Sequence, residues 1–297
     1  MTRKTIFITA LIAGTVFLLA VFWIINNNQS PKDATNQTDE TAREGYQFTN
    51  KTISFVSNDN TIYGRALIPQ TDMPVPTIIV CHGFGGNYEQ ELTMQENLAA
   101  SGIAVYAFDF AGGSGYDSGK SEGEMTDMSV LTEVQNLKDA LVALENQEFF
   151  DKDNLYLLGG SQGGVVSSIA AAENPEAVKG LILLYPAFSL FDDAHNRFES
   201  AEAIPETYNL MGLTVGSRYF TDIWDYDIYD KISQYDGDVR IFHGTDDSLV
   251  PISYAERASE VFPHAVLTKL KGEGHGFSNS AQKEAAENIA NFIKEAE

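Results

Sequence analysis

The sequence predicts an α/β fold with a mostly parallel sheet and helices on both of its faces. From Tyr46 onward, short β-branched runs alternate with longer segments of helical pattern, the order that parallel strands joined by crossover helices require. Runs such as "TIIVC" and "LILL" read as strands buried on both faces. At 297 residues, 43% of them hydrophobic, the chain is long enough to bury a sizeable core.

Taken in order, "TISFVS" and "TIYGRALI" form a hairpin joined through "NDN". "TIIVCH", "AVYAFDF", "NLYLLGG", "LILLYPA", "VRIFHG" and "VLTKLKG" follow as strands. Between them the helical pattern occupies Tyr88–Ala100, Met128–Asn146, Gln162–Glu173, Ile252–Val261 and Ser280–Ala296. Ala187–Tyr235 breaks the alternation, with ten aromatics and no clear strand. It is expected to form a cap of about residues 187–235 over the carboxyl edge of the sheet, where such sheets bind ligands. About half of its aromatics from Phe188 to Tyr229 are expected in the cap's own small core, and those left over are expected to line a pocket above Ser161.

The first 25 residues stand apart. Arg3 and Lys4 precede the uncharged run Ile6–Ile25, and twenty helical residues rise about 30 Å, the thickness of a bilayer core. The run ends in Phe22, Trp23, Ile24 and Ile25, which suits an uncleaved transmembrane signal anchor better than a cleaved signal peptide. Basic residues before the span place the bulk of the chain outside the cytoplasmic membrane. Residues 26–45 are polar and read as a flexible linker, leaving residues 46–297 as the folded domain. The net charge of −23 argues against a nucleic-acid partner. Cys81, the only cysteine, sits in an apolar run and reads as a small buried hydrophobe.

The chemistry centres on Gly159-Gly160-Ser161-Gln162-Gly163, a G-x-S-x-G pattern. The pattern needs a strand before the serine and a helix after it, so that the hydroxyl stands exposed on a tight turn. Ser161 has "LYLL" before it and "VVSSIAAA" after it. Ser121 matches the same pattern within "GYDSGKSEGEMTD" and has neither. The "GKS" of that loop ends a phosphate-loop pattern, but Ser114 stands where its first glycine belongs, and acidic residues follow.

A serine becomes a nucleophile only when a base takes its proton and a carboxylate orients that base. His195 and His264 read as surface residues, and His82 and His243 as packed and hydrogen-bonded strand-end residues. His275, in the glycine-rich "KGEGHGFS" after the last strand, is free to present its imidazole. The acid belongs between serine and histidine, after a strand, and "VRIFHGTDDSLVP" supplies Asp246 and Asp247. The backbone N–H groups of Gln162 and of Phe84, in "VCHGFGGN", are the expected donors to an oxyanion.

These residues resemble those of the α/β-hydrolase family from Tyr46 to the carboxyl end. Within it the chain looks most like the small cinnamoyl (feruloyl) esterase and serine-aminopeptidase-like group, through "HGFGGN", "AVYAFDF", "GKSEGEMTDMSVLTEV", "GGSQGG", "HGTDDSLVP" and "GEGHGFS". The resemblance implies an eight-stranded sheet with a small cap, Ser161 as nucleophile, His275 as base, and Phe84 and Gln162 as oxyanion donors. The pattern D-x-x-V-P selects Asp247 over Asp246 as acid. It implies hydrolysis of short acyl or hydroxycinnamoyl esters, with no metal or cofactor. An aminopeptidase or acyltransferase would use the same residues, and a non-catalytic binding protein could share the fold. The usual G-H-G turn is "AGGSGYD" here, and a membrane anchor is not typical of the group.

Overall fold

The computed structural model describes residues 45–116 and 119–296. The apolar run Ile6–Ile25 and nearly all of the linker lie outside the described residues. Among the described residues no helix is long and apolar enough to cross a membrane.

The domain begins with β1 (Phe48–Thr52), β2 (Phe55–Ser57), β3 (Asn60–Ile62) and β4 (Gly64–Pro69). β2 and β3 form the tight hairpin expected around "NDN". Asn58 and Asp59 at its tip both have positive φ, 47° and 65°, the conformation a two-residue hairpin turn demands and Asn and Asp tolerate. β1 pairs with β4 as a second antiparallel layer around it. The sequence reading did not assign β1, because "FTNKT" is an exposed edge strand with almost no apolar face.

The parallel part follows as β5 (Val75–Cys81), α1 (Leu92–Ala100), β6 (Ala104–Phe108), α2 (Val130–Leu144), β7 (Phe150–Gly160), α3 (Gln162–Glu173) and β8 (Gly180–Leu184). The insertion then contributes α4 (Leu190–Arg197), β9 (Thr207–Leu210), β10 (Leu213–Gly216), α5 (Arg218–Thr221) and α6 (Ile228–Ile232). β11 (Asp238–Gly244), α7 (Ile252–Val261), β12 (Ala265–Leu270) and α8 (Asn279–Glu295) complete the chain.

Eight strands form one sheet in the order β1-β4-β6-β5-β7-β8-β11-β12, parallel from β6 to β12 and antiparallel only where β4 meets its neighbours. Successive side chains on a strand point to opposite faces, and here both faces are covered. Ile79, Cys81, Leu157, Leu183 and Ile241 pack with Val134 and Leu137 of α2 and Val165 and Ile169 of α3. Ile78, Val80, Leu158, Ile182 and Phe242 pack with Leu98 of α1 and Ile289 and Ile293 of α8. That double burial is why the strands read as unbroken apolar runs.

Two differences from the sequence reading bear on the site. α1 starts at Leu92 rather than Tyr88, because Glu91 holds a left-handed φ of 57° and turns the chain before the first helical residue. The cap does contain strands: β9 and β10 form a two-stranded hairpin separate from the main sheet, turned at Met211 and Gly212. Four residues per strand, with no apolar run, left too little pattern to read.

Candidate active site

β7 ends at Gly160 and α3 starts at Gln162, which leaves Ser161 alone on the turn with φ 54° and ψ −120°. A residue other than glycine held there costs on the order of 1–3 kcal/mol, so the surroundings must enforce it. The Ser161 N–H donates to the Leu184 carbonyl, and the Ser161 carbonyl accepts from Ala187, both at 3.0 Å. The flanking glycines are a matter of space. A Cβ at Gly159 would lie 2.1 Å from the Gly163 carbonyl oxygen, and one at Gly163 would lie 2.2 Å from that of Cys81. Strand and helix cross at this point with no room for a side chain.

The loop after β12 brings His275 to the serine. His275 Nε2 lies 2.9 Å from Ser161 Oγ, and His275 Nδ1 lies 2.8 Å from Asp247 Oδ2. An ionised carboxylate only accepts, so Nδ1 carries the proton and Nε2 is left to accept from the serine hydroxyl. Burial pushes the Asp247 pKa up, but hydrogen bonds from His243 and His275, the nearby His275 charge and the Val250 N–H outweigh it. They hold the acid well below the usual carboxylate range. Its Oδ1 accepts from the N–H groups of Leu249 and Val250, each at 2.9 Å, which fixes the carboxylate plane. Asp246 is exposed; its carboxylate accepts from Thr245 Oγ1, and its backbone N–H donates to the Glu273 carbonyl at 3.0 Å. Tyr185 closes the other side of the imidazole, edge-on at 4.8 Å between ring centroids, with its hydroxyl donating to Glu91.

The remaining histidines sit elsewhere. His82 is buried; its Nδ1 bonds the Gly83 carbonyl and its Nε2 accepts from the Phe110 N–H, and burial holds its pKa low. His195 is exposed and bonds the Trp224 carbonyl; His264 is exposed beside Asp236. Ser121 donates to the Asp109 carbonyl and accepts from the Tyr63 N–H, so it is a loop staple. Lys120 of the "GKS" lies over the rings of Tyr63 and Tyr88 and donates to the Tyr88 hydroxyl. Burial pushes the Cys81 thiol up to about 12, the state of an inert thiol. Among the described residues no group of three or more His, Cys, Asp or Glu is arranged to hold a metal ion.

Phe84 and Gln162 both line the cleft that opens on Ser161. Among the described residues neither backbone N–H has a hydrogen-bond partner. For Gln162 this follows from its place as the first residue of α3, where helix donors are left over. The cleft encloses about 580 Å³ including its mouth and is mostly apolar, with Leu190, Leu210, Met211, Tyr219 and Phe220 from the cap and Leu249 and Val250 from beside the acid. This set revises one expectation. Of the nine cap aromatics from Phe188 to Tyr229, those left over from the cap's own core were expected to line the pocket. Instead the two that line it, Tyr219 and Phe220, are themselves fully buried. The half-buried Phe198, Tyr208, Trp224, Tyr226 and Tyr229 pack against the core.

Sequence reasoning left two participants out. His243, read as packed and hydrogen-bonded at its strand end with no link to the acid, places Nε2 3.2 Å from Asp247 Oδ2 and 2.9 Å from the Val250 carbonyl. Its position four residues before the acid, on the strand that delivers it, was the available signal. Tyr219, whose hydroxyl donates to Gln162 Oε1 at 2.6 Å, offered none, because the contact spans 57 residues and depends on how the cap folds.

A family model described as alpha/beta hydrolase fold matches residues 76–208. Among solved structures the chain is similar to Est1E from Butyrivibrio proteoclasticus with ferulic acid bound: TM-score 0.74, 24% identity, 82% of this chain and 98% of that one. The quorum-quenching protein AidA of Acinetobacter baumannii is 27% identical over 168 residues, 56% of this chain and 52% of that protein. The monoglyceride lipase of Rattus norvegicus is 33% identical over 120 residues, 38% of this chain and 35% of that protein. The chain thus spans about half or less of the length of these curated relatives.

Proposed function

We propose, for a chain that belongs to the α/β-hydrolase fold family, that it is a serine carboxylesterase acting on short acyl or hydroxycinnamoyl esters. The observation that carries the reading is the unbroken hydrogen-bonded line from Asp247 through His275 to Ser161 Oγ, at 2.8 and 2.9 Å, on the floor of an apolar cleft. Ser161 Oγ attacks the ester carbonyl as His275 Nε2 takes its proton. The carbonyl oxygen becomes an oxyanion held by the N–H groups of Phe84 and Gln162. Collapse of the intermediate breaks the bond to the alcohol, which leaves with the proton from His275. Water, deprotonated by His275, then attacks the acyl-enzyme and releases the acid and free Ser161. Asp247 stays ionised throughout and stabilises the imidazolium.

The acyl preference rests on the cleft, whose apolar walls and ring faces of Phe84, Tyr219 and Phe220 suit a planar or short apolar group. Similarity to a fold that binds ferulic acid in Est1E supports the same choice. A panel of short acyl, hydroxycinnamoyl and long-chain esters beside aminoacyl amides tests it. Short and hydroxycinnamoyl esters should be turned over fastest, and fastest turnover of long-chain lipids or amides would reject it.

The reading includes a membrane tether with the hydrolase domain outside, supported by the uncharged run Ile6–Ile25 behind Arg3 and Lys4. Protease added to intact cells should release an active fragment by cutting within residues 26–45. Full-length protein in the soluble cytosolic fraction would refute the tether.

A further inference from the structure

The cap meets the oxyanion residues at one side chain. Tyr219, on α5, is fully buried, and its hydroxyl donates to Gln162 Oε1 at 2.6 Å. The same ring packs edge-on against Phe84, with centroids 5.5 Å apart and planes 67° apart. One cap tyrosine therefore touches both residues read as oxyanion donors, and both of these line the cleft. The Gln162 side chain is anchored at its other end, where Nε2 donates to Glu133 Oε2 of α2 at 2.8 Å. Burial pushes the Glu133 pKa up to about 8.

Tyr219 is itself held from both sides. Phe220 beside it packs on Phe198 and Tyr208 of the cap. Asp222, one residue past α5, accepts from Ser129 Oγ at 2.5 Å, and Ser129 is the residue that caps α2. The core helix carrying Glu133 thus also fixes the element carrying Tyr219. The line Tyr219–Gln162–Glu133 is buried, fully hydrogen-bonded at the Gln162 amide, and has no part in moving the reaction's protons.

We infer that Tyr219 is a positioning residue: the cap, through this one side chain, sets the geometry of the oxyanion site as well as covering the substrate. The inference rests on the reading of Ser161 as nucleophile with Phe84 and Gln162 as oxyanion donors. The physical reason is preorganisation. Donors aimed in advance at the developing charge stabilise the transition state without reorganising, and a small displacement forfeits that advantage. A side chain clamped at both ends holds the first turn of α3, and with it the Gln162 N–H. The ring against Phe84 does the same for the second donor.

The test uses the full-length protein and two inhibitors. An aryl trifluoromethyl ketone adds reversibly to Ser161: the Oγ–C bond forms, the carbonyl π bond opens to an oxyanion, and the serine proton passes to His275. The corresponding aryl trifluoromethyl carbinol cannot add and reports binding in the cleft alone. In Tyr219→Phe, which keeps the ring, kcat on a short acyl ester should fall about tenfold, less than the loss of a donor itself, with KM within about twofold. Ketone affinity should fall by about the same tenfold factor, while carbinol affinity holds. Gln162→Leu keeps its backbone N–H but cuts the side-chain bonds to Tyr219 and Glu133, along with the longer one to Met128 Sδ, and should show the same ketone-selective loss. Adding Tyr219→Phe to it should then cost nothing more, since both act through one connection. Equal weakening of ketone and carbinol, additive losses in the double variant, or ketone affinity unchanged in a folded Tyr219→Phe would each overturn the inference. If Tyr219→Phe does not fold, the Gln162→Leu inhibitor pair decides alone. An active Ser161→Ala would instead remove the underlying reading, so the two failures are separable.

Discussion

The serine turn and the cap face each other across one cleft, yet they are built by different means. At the turn every functional group is delivered by the end of a strand. Ser161 follows β7, Asp247 follows β11, and His275 follows β12. Neighbouring parallel strands end side by side, so residues far apart in sequence arrive within hydrogen-bond distance without a long search. The cap has no such frame. Its hairpin and short helices take their positions from aromatic packing among Phe198, Tyr208, Tyr219 and Phe220. Chemistry that depends on strand ends is written locally, whereas specificity that depends on packing is not.

The comparison breaks most visibly at the triad. Ser161→Ala and His275→Ala should each lower kcat by about 10⁴-fold or more while leaving the melting temperature nearly unchanged. Asp247→Asn should approach that loss, because the amide cannot hold the imidazole in the required tautomer. Asp246→Asn should stay within about twofold, since Asp246 faces solvent. Equal effects of the two asparagine variants would refute the assignment of the acid.

Next in size is an effect on folding. Gly159→Ala and Gly163→Ala each force a Cβ to within 2.2 Å or less of a backbone oxygen, which should destabilise the domain by on the order of 3 kcal/mol or more. Gly212→Ala, at the tip of the cap hairpin, meets nothing within 4 Å and only the strain of φ +90°. Its cost should be nearer about 1 kcal/mol. Denaturant midpoints of the three variants rank them, and a Gly159→Ala protein as stable as Gly212→Ala would contradict the crossing geometry at the turn.

These contrasts also mark how far the sequence was legible. The parallel strands announced themselves because both faces are buried, and the sheet order places their ends as the serine, acid and histidine pattern required. The choice of Asp247 came from the resemblance, whose D-x-x-V-P pattern sets the acid four residues before Pro251; in the structure that carboxylate accepts from the Leu249 and Val250 N–H groups. Edge strand β1 and hairpin β9–β10 were invisible for the opposite reason, being short and polar on at least one face. The pocket-lining aromatics were misjudged because burial was set against pocket lining. Tyr219 is buried by the cap and by the cleft wall at once. No periodicity reports a contact between Tyr219 and Gln162, which depends on two elements folding independently onto each other.

An effect that appears only as pH changes sharpens the link between the two regions. Glu133, beneath Gln162, has its pKa raised from 4.5 to about 8. Between those values the folded chain keeps a proton that the unfolded chain releases, so stability from this group is lost as pH rises through that window. Glu133→Gln carries no titrating proton. The stability difference between wild type and variant should therefore drift in the variant's favour by on the order of 1 kcal/mol per pH unit from pH 5 to 8. Urea midpoints across that range measure it, and a difference that stays flat would show that Glu133 is ionised when folded.

The central claim is that Ser161 is a nucleophile because His275 and Asp247 make it one, and covalent labelling reads this most directly. Full-length protein treated with a fluorophosphonate and digested should yield one modified peptide, with the phosphonyl group on Ser161. Labelling should be absent in Ser161→Ala and slowed by orders of magnitude in His275→Ala. A label on another residue, or a Ser161→Ala protein that still hydrolyses esters at the wild-type rate, would contradict it.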